Sequence, residues 1–217
     1  MVSKKHHPGR GMRHEPSQKR SSNKVDEILK AAEELLVELP IEEITTTIIA
    51  ERAGVTRTSM YHFFPSKLDV FDALTERYHT TLRQKLLSFF DPRTNEEYHH
   101  AWAGVSGVYK DFFEKTPSAA ILILGRKGAK QAIFGNDESE ERLAEDIGNL
   151  MARHTNFTEI AKGNPPEPDF FQFVLRIMTS LFSAGVRKDG RISERTEEEA
   201  RRATIAYIDA RVNSDSN

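Results

Sequence analysis

Apolar residues recur at helical spacing along most of the chain, and no long stretch alternates apolar and polar residues as a strand would. The first apolar stripe ends at Pro40, and the longest later one runs from Pro65 to Asp91-Pro92. A helix over residues 66–90 would be about 36 Å long at 1.5 Å per residue. Further helical patterns cover residues 95–115, 117–124, 137–154, 169–187 and the stretch after 196. The pattern predicts an all-α protein.

The first amphipathic helix is predicted to follow a polar segment. Ser22 or Asn23 is expected to cap it, with Asp26 and Glu27 in the first turn, where the helix dipole favours negative charge. Its apolar positions recur every three or four residues until Pro40. Two apolar residues after this proline then lead the chain towards the next helix.

Two short helices joined by a tight turn are predicted between residues 45 and 64. The first stops at Gly54, the residue type best suited to a left-handed conformation after a helix. Thr56 is placed to cap the second helix, whose Met60 and Phe64 fall on the buried side. The outward residues of the second helix are polar or end in a polar atom: Arg57, Thr58, Ser59, Tyr61 and His62. Such a helix fits the major groove of DNA.

The segment Thr46–Lys67 resembles the helix-turn-helix of TetR-type transcriptional regulators. The resemblance rests on the Thr-Thr-x-x-Ile-Ala-x-x-Ala-Gly-Val-Thr start and the Met-Tyr-x-Phe-Phe-x-x-Lys finish. The family often has Gly at or beside the position of Ser59 and commonly has His at the position of Phe63. Both differences leave the apolar frame intact. The resemblance implies a three-helix DNA-binding domain followed by a larger helical domain for effector binding and dimerisation.

Eight residues are predicted to contact DNA. Thr46 and Thr47 start the second helix, where their hydroxyl and backbone N–H groups suit phosphate oxygens, although the alternative role is capping alone. Arg57 can form two hydrogen bonds with a guanine edge. The resemblance implies that Tyr61 and Lys67 bind phosphates. Lesser base or phosphate contacts are expected from Thr58, Ser59 and His62.

The distribution of charge adds a candidate DNA contact outside these helices. The 217-residue chain has a formal net charge of −2 at pH 7, so it is not basic as a whole. Residues 1–24 nevertheless hold seven Lys/Arg and one Glu, whereas residues 25–68 hold four Lys/Arg and eight Asp/Glu. We therefore predict that residues 1–22 form a basic disordered arm that binds along phosphates. The alternative is a tail that only aids solubility.

Aromatic and sulfur-containing side chains in the second part of the chain are candidates for lining an apolar ligand cavity. The alternative is ordinary core, which is the commoner fate of such residues at helical spacing. Arg83 and Arg126 are candidate anchors for an anionic ligand, although long cationic side chains usually lie on the surface. The predicted lining is Trp102, Tyr109, Phe113, Met151, Phe171, Leu175 and Met178.

The two last helical segments predict a dimer interface. Residues 169–187 are apolar nearly all round, so this helix needs a second burial surface. The segment Thr196-x-x-Glu199 has the pattern of a capping box and is expected to start the last helix. Two such helices from each of two chains would form a four-helix homodimer interface, which the resemblance also implies.

The sequence gives no support for catalysis, a metal or a cofactor. It contains no cysteine, no Walker motif, no glycine-rich dinucleotide turn and no Gly-x-Ser-x-Gly. His99 and His100 are adjacent, and adjacent residues on a helix point about 100° apart, which does not suit one metal ion. There is no apolar run of the roughly 18 residues that span a bilayer. We expect a cytoplasmic protein that is not an enzyme and has no membrane partner.

These observations predict a basic arm at 1–22, a DNA-binding domain at 23–67 and an effector-binding and dimerisation domain at 68–217. The expected function is that of a homodimeric TetR-like repressor bound to a palindromic double-stranded DNA operator. A small-molecule effector would release it by shifting the helix at 66–90. The alternative is a dimeric DNA-binding regulator without such an effector, whose second domain serves only dimerisation or a protein partner.

Overall fold

The computed structural model describes residues 15–91, 96–125, 137–161 and 169–213. The fold is all-α, as predicted, and the described residues contain no strand beyond an isolated bridge between Glu96 and Thr155. The elements are α1 (Glu15–Glu38), α2 (Thr46–Arg52), α3 (Arg57–Phe63), α4 (Lys67–Phe90), α5 (Tyr98–Lys115), α6 (Pro117–Ala119), a π-helical segment (Ala120–Leu124), α7 (Asp137–His154), α8 (Phe157–Ile160), α9 (Phe170–Asp189) and α10 (Glu194–Asn213).

The first three helices form a small bundle that α4 completes. Ile28 and Leu35 on α1 are fully or almost fully buried, together with Ile49 on α2 and Met60 on α3. Fully burying a side chain of this kind contributes on the order of 1.5–3 kcal/mol, so these residues help to hold the small bundle together. The bundle fixes α3 with its polar side outward.

The start of α1 differs from the prediction. This helix begins at Glu15, so Ser22 and Asn23 lie inside it and the predicted cap at these residues is wrong. Residues 15–20 include Glu, Gln, Lys and Arg, which are good helix formers, and Pro16 falls in the first turn, where its missing N–H is tolerated. Of the arm predicted at 1–22, residues 15–22 are therefore helical, and residues 1–14 lie outside the described part of the chain.

The caps of two other helices also lie earlier than predicted. Thr45, and not Thr46 or Thr47, caps α2, because its hydroxyl oxygen accepts from Ile48 N at 3.2 Å. The last helix begins at Glu194, two residues before the predicted capping box at Thr196. Ser193 Oγ accepts from Thr196 N at 3.2 Å, which is the capping bond of that helix.

The long helix α4 joins the small bundle to the rest of the molecule, as predicted. Its start is fixed by a capping box: Ser66 Oγ accepts from Asp69 N, and Asp69 Oδ2 accepts from Ser66 N at 2.8 Å. Most of its apolar residues are buried, but Leu68 is 50% exposed. Leu68 lies in the first turn at the edge of the buried arc, and periodicity alone does not tell which turns a neighbour covers.

The larger part of the protein is a helical bundle around α4 and α5. Helices α9 and α10 pack along each other, α5 packs on α10, and α7 packs on both α4 and α9. Residues 163–168, which include the consecutive prolines Pro165 and Pro166 typical of a loop, lie outside the described residues. Among the described helices, none is both long and apolar enough to cross a membrane.

Candidate nucleic-acid interface

The turn between α2 and α3 has the geometry that the sequence predicted. Gly54 has φ of +65°, the left-handed conformation that disfavours other residue types. Thr56 caps α3, its hydroxyl oxygen accepting from Ser59 N at 3.2 Å. Met60 is fully buried beneath α3 and Phe64 is 8% exposed, so the opposite side of the helix is available to a partner.

The structure brings most of the predicted DNA contacts onto one surface. Arg57, Thr58, Tyr61 and His62 are exposed, and Ser59 is partly exposed. These residues present a guanidinium, hydroxyls and an imidazole, the donors and acceptors that read base edges and phosphates. We call this exposed side of α3 the reading face.

The start of α2 joins the reading face through a direct contact. The hydroxyls of Thr46 and Tyr61 lie 3.1 Å apart, within hydrogen-bonding distance. Since Thr45 serves as the cap, neither Thr46 nor Thr47 has to cap α2, and both are partly exposed. A phosphate placed here would meet two or three hydroxyl donors.

Lys67 has a different environment from the one the sequence implied. Its ammonium donates to the backbone carbonyl of Ile41 at 3.0 Å, which ties the start of α4 to the loop after α1. An ammonium has three donor hydrogens, so this bond leaves capacity for a phosphate. Lys67 therefore has a structural role in addition to the phosphate contact predicted for it.

Lys24 is a candidate DNA contact that was not singled out from the sequence. It is exposed, and its ammonium lies 3.5 Å from Ser59 Oγ, at the edge of the reading face. In the sequence it is one of the seven basic residues of the N-terminal stretch, and its approach to Ser59, 35 positions later, depends on how α1 packs against α3. Its place on α1 adds a cation where the described bundle is otherwise rich in acidic residues.

Some of the other charged groups of the bundle form ion pairs within it or with α4. Arg52 pairs with Glu38 at 2.6 Å and Glu34 at 3.5 Å, joining α2 to α1. Its hydrogen bond holds the pKa of the Glu38 carboxyl below its usual value. Asp26 on α1 pairs with Arg77 on α4 at 2.6 Å. These pairs fix the bundle rather than extend the reading face.

The residues predicted to bind a ligand are all buried. Trp102 donates to Thr204 Oγ1 at 2.7 Å, and its ring lies 6.3 Å from that of Phe171, so both belong to the contact between α5, α9 and α10. Tyr109 is different, because its hydroxyl is buried without a hydrogen-bond partner, as is Ser106 Oγ one turn earlier. Burial also raises the pKa of the Tyr109 hydroxyl. Their exposed fractions are all below 5%: Trp102, Tyr109, Phe113, Met151, Phe171, Leu175 and Met178.

A cavity of about 660 Å³ lies beside this cluster, at the end of α5. Of the predicted residues, Phe113 lines it. The ring of Phe113 lies 6.3 Å from that of Tyr109, so one side chain connects the cavity wall to the buried cluster. The cavity has the size of typical small-molecule sites, which are about 300–1,000 Å³. Of the two arginines considered as anchors, Arg83 pairs with Asp146, and Arg126 lies outside the described residues.

The paired histidines of the sequence have separate environments. His99 Nε2 lies 2.9 Å from Asp209 Oδ1, and Tyr98 also donates to that carboxylate oxygen at 2.5 Å. His100 is exposed on a different side of α5. Within the described ranges, no group of three or more His, Asp or Glu side chains is placed to hold a metal ion.

Comparison with known proteins agrees with this geometry. Residues 28–74 match the family described as "Bacterial regulatory proteins, tetR family". A crystal structure of a TetR-family transcriptional regulator from Streptomyces coelicolor is similar with a TM-score of 0.68 and 22% identity, covering 87% of this chain and 99% of the other. A TetR transcriptional regulator from Rhodococcus sp. RHA1 gives a TM-score of 0.57 at 17% identity, covering 88% and 97%. At these identities the structures establish the fold alone.

Proteins that are similar in sequence are described as nucleoid occlusion factors. The nucleoid occlusion factor SlmA of Haemophilus ducreyi is 27% identical over 124 residues, which are 56% of this chain and 57% of the relative. SlmA of Idiomarina loihiensis is 29% identical over 130 residues, or 59% and 62% of the two chains. The chain thus spans less than two thirds of the length of these relatives. The similarity nevertheless extends well beyond the 47 residues from 28 to 74 that match the family.

Proposed function

Through residues 28–74 this chain belongs to the TetR family of DNA-binding regulators, and we propose that it is a homodimeric repressor of a palindromic operator. The observation that carries the proposal is the reading face. Helix α3 exposes Arg57 and Tyr61 while Met60 holds it in the bundle from beneath. In this proposal each α3 enters a major groove, and the two helices lie one DNA turn apart, about 34–36 Å.

We propose that the boundary between two functional domains lies at the start of α4. Residues 15–66 would form the DNA-binding domain, which moves its start from the residue 23 predicted from the sequence to the first residue of α1. The segment from Lys67 to Asn213 would form the effector-binding and dimerisation domain. Helix α4 connects the two proposed domains, because it contacts α1 of the first and α5 and α7 of the second.

An uncovered apolar row on α9 supports the dimer. Phe173 is 46% exposed, and Ile177 and Leu181 follow it at intervals of four residues, both partly exposed. Residues at this spacing lie on one side of a helix. A second chain that covers this row would bury apolar surface, and a stable dimer needs roughly 1,000 Å² or more in total. We propose that α9 and α10 of two chains form the interface.

The contacts between α4, α6 and α1 provide a route for release by an effector. Tyr78 on α4 donates to Ser118 on α6 at 2.8 Å, and α6 packs on α1. Arg77, the residue before Tyr78, holds Asp26 of α1. A ligand that moves α6 would therefore disturb the position of the bundle, and with it the separation of the two reading faces. The release depends on the ligand binding the two arrangements with different affinity.

A second candidate function is favoured by the sequence relatives. Proteins named nucleoid occlusion factors match 56–59% of this chain. In that case the chain would bind many chromosomal sites, and its second domain would meet a protein partner rather than a small molecule. Both candidates act on chromosomal DNA in the cytoplasm and involve no catalysis.

Mapping of bound chromosomal sites in the host, combined with transcript measurements in a deletion strain, separates the two candidates. A repressor should bind few promoters, and transcripts next to them should rise several-fold on deletion. Bound sites spread over the chromosome, with unchanged neighbouring transcripts and division across the nucleoid, would favour the second candidate. A thermal-shift screen of small molecules tests the effector directly, because a ligand specific to the folded state raises the melting temperature.

A further inference from the structure

The 660 Å³ cavity at the end of α5 lies where four elements meet. The last turn of α5, the segment from α6 into the π-helical turn, the end of α9 and the loop before α10 each contribute residues. Its position differs from that of the buried aromatic cluster predicted from the sequence, with which it shares Phe113. The apolar part of its wall consists of Phe113, Pro117, Ala120, Ile121, Val186 and Ile192.

The cavity is apolar inside and charged at its mouth. Phe113, Val186 and Ile192 are at most 7% exposed, so their side chains form the inner wall. Glu114 and Arg191 are exposed at the rim. This arrangement fits an amphipathic molecule, with its apolar body inside and a polar head group at the opening.

The two rim charges have different surroundings. The negative charge of Glu114 lies near the ammonium of Lys110, whose pKa is raised first by the hydrogen bond to Glu197 and in smaller part by Glu114. Lys110 and Glu197 are paired at 2.7 Å. Within the described part of the chain, Arg191 has no ion-pair partner. Arg191 therefore offers its guanidinium at the mouth, where it can form charge-assisted hydrogen bonds with an acidic head group.

One wall of the cavity belongs to an element that reaches the DNA-binding bundle. Ala120 and Ile121 start the π-helical segment, which continues α6 directly. Ser118, two residues earlier, accepts the hydroxyl of Tyr78 on α4. Short π-helical turns within helices occur often at functional sites. A molecule that presses on Ala120 would thus act close to the contact between α6 and α4.

We infer that this cavity binds an amphipathic organic anion, with an apolar chain among Phe113, Ile121 and Val186 and an acidic group on Arg191. Binding itself does not depend on the proposed function. The effect on DNA does depend on it, because only a DNA-bound regulator can be released. Sodium decanoate, used below its micelle-forming concentration, has both features and serves as the probe.

Isothermal titration of the full-length chain with decanoate tests the cavity. We expect saturable binding that Arg191→Gln weakens about tenfold or more, since a charge-assisted hydrogen bond is lost. Ala120→Phe, which fills the cavity, should abolish binding. The matched control is Ala152→Phe on the exposed side of α7, which should bind like the unchanged chain. Circular dichroism of each variant establishes that it is folded.

Several results would overturn the inference. Decanoate binding that is unchanged in both Arg191→Gln and a folded Ala120→Phe would place the ligand elsewhere. Tighter binding of decylammonium than of decanoate, with dependence on Glu114, would reverse the assigned charge. If Ala120→Phe does not fold, Arg191→Gln alone decides, because Arg191 is exposed and outside the core.

Measuring duplex binding in the presence of decanoate tests the cavity and the proposed function separately. If decanoate releases DNA from the unchanged chain but not from Arg191→Gln, both proposals are supported. Arg191-dependent binding of decanoate with no effect on DNA would support the cavity and contradict release through α6. Failure of the unchanged chain to bind any DNA would contradict the proposed function, whatever decanoate does.

Discussion

Arg57 and Lys67 lie at the two ends of the segment proposed to meet DNA, and their surroundings give them different tasks. Arg57 is exposed at the start of α3. Its guanidinium suits two hydrogen bonds with a guanine edge. Lys67 holds the carbonyl of Ile41 and can offer its remaining hydrogens to a phosphate. Only Arg57 is therefore expected to distinguish base pairs.

Alanine substitutions should separate these tasks. Arg57→Ala should remove preference at one base pair, a loss of about 1–3 kcal/mol for the preferred base only. Lys67→Ala should weaken all duplexes about equally and also lower the melting temperature by a few degrees, because a tertiary hydrogen bond is lost. Fluorescence anisotropy with a series of single-base operator variants measures both. Lys30→Ala, on the exposed side of α1, is the control, and identical profiles for Arg57→Ala and Lys67→Ala would refute the assignment.

Removing the hydroxyl of Tyr109 and removing that of Tyr78 should have different effects on the free energy of unfolding. The Tyr109 hydroxyl is buried without a partner, and such a group costs about 1–3 kcal/mol. Tyr109→Phe should therefore leave the free energy of unfolding unchanged or raise it. Tyr78→Phe should lower it by about 1 kcal/mol, because the bond to Ser118 is lost. Urea titration of both variants measures this difference, and clear destabilisation by Tyr109→Phe would mean that its hydroxyl has a partner.

The sequence predicted individual residues correctly where their role depends only on neighbours a few positions away. Gly54 in the turn, Thr56 as the cap of α3 and Met60 beneath it were predicted correctly, since each follows from spacing within a few residues. The bond from Lys67 to Ile41 and the approach of Lys24 to Ser59 were not predictable in this way. Both join residues that are 26 or more positions apart, and their geometry depends on how α1 packs.

At the scale of elements, the contact between α4 and α7 contains a titratable group. His79 on α4 is partly buried, and its Nδ1 lies 2.6 Å from Ser139 Oγ on α7. Burial lowers the pKa of His79; the Glu76 carboxylate opposes this shift and the Arg142 guanidinium adds to it. The ion pair of Arg83 with Asp146 lies at the same contact. Charging His79 is thus less favourable in the folded chain than in the unfolded one.

This contact predicts a pH dependence of stability. A histidine whose folded pKa is depressed contributes stability that is fully present above its unfolded pKa, about 6.5, and is lost as the pH falls through the folded pKa. The free energy of unfolding should therefore fall on acidification below about pH 6.5, and His79→Gln should reduce that slope. Urea titrations between about pH 5 and 8 measure it. His100→Gln, at an exposed position, is the control. A slope in His79→Gln equal to that of the unchanged chain would contradict the role given to His79.

The helices themselves were largely predictable, and their ends less so. The range predicted for α7 agrees with the structure, and α4 and α9 differ by one or two residues, because their apolar periods are long and regular. The start of α1 was missed by eight residues, since the sequence of its first turns is polar and has no apolar periodicity. Ser193 was missed as a cap because Thr196-x-x-Glu199 fits the capping-box pattern, whereas the residue three positions after Ser193 is Thr196.

At the scale of the whole molecule, positive charge is concentrated before residue 25. Residues 1–14 contain Lys4, Lys5, Arg10 and Arg13 and no acidic residue. Each phosphate neutralised by such a residue changes the slope of log K against log salt by about 0.9. The salt dependence of binding therefore reports how many of these cations meet DNA.

Deleting residues 1–14 should flatten the salt dependence of duplex binding while sparing the fold. Replacing Lys4, Lys5, Arg10 and Arg13 with Gln in the full-length chain is the matched control for length and should have the same effect. Anisotropy titrations at several salt concentrations give the slopes. A slope unchanged in both variants would make this stretch a tail without DNA contacts. A change only on deletion would assign the effect to length rather than charge.

We propose above that two copies of this chain read two half-sites of one operator. Selection of bound sequences from random duplexes by the purified protein, at a stated salt concentration, tests it most directly. We predict an enriched inverted repeat whose half-site centres lie one helical turn apart, about 34–36 Å. Enrichment of a single half-site without a repeat, or of no sequence at all, would contradict a dimer that reads two half-sites.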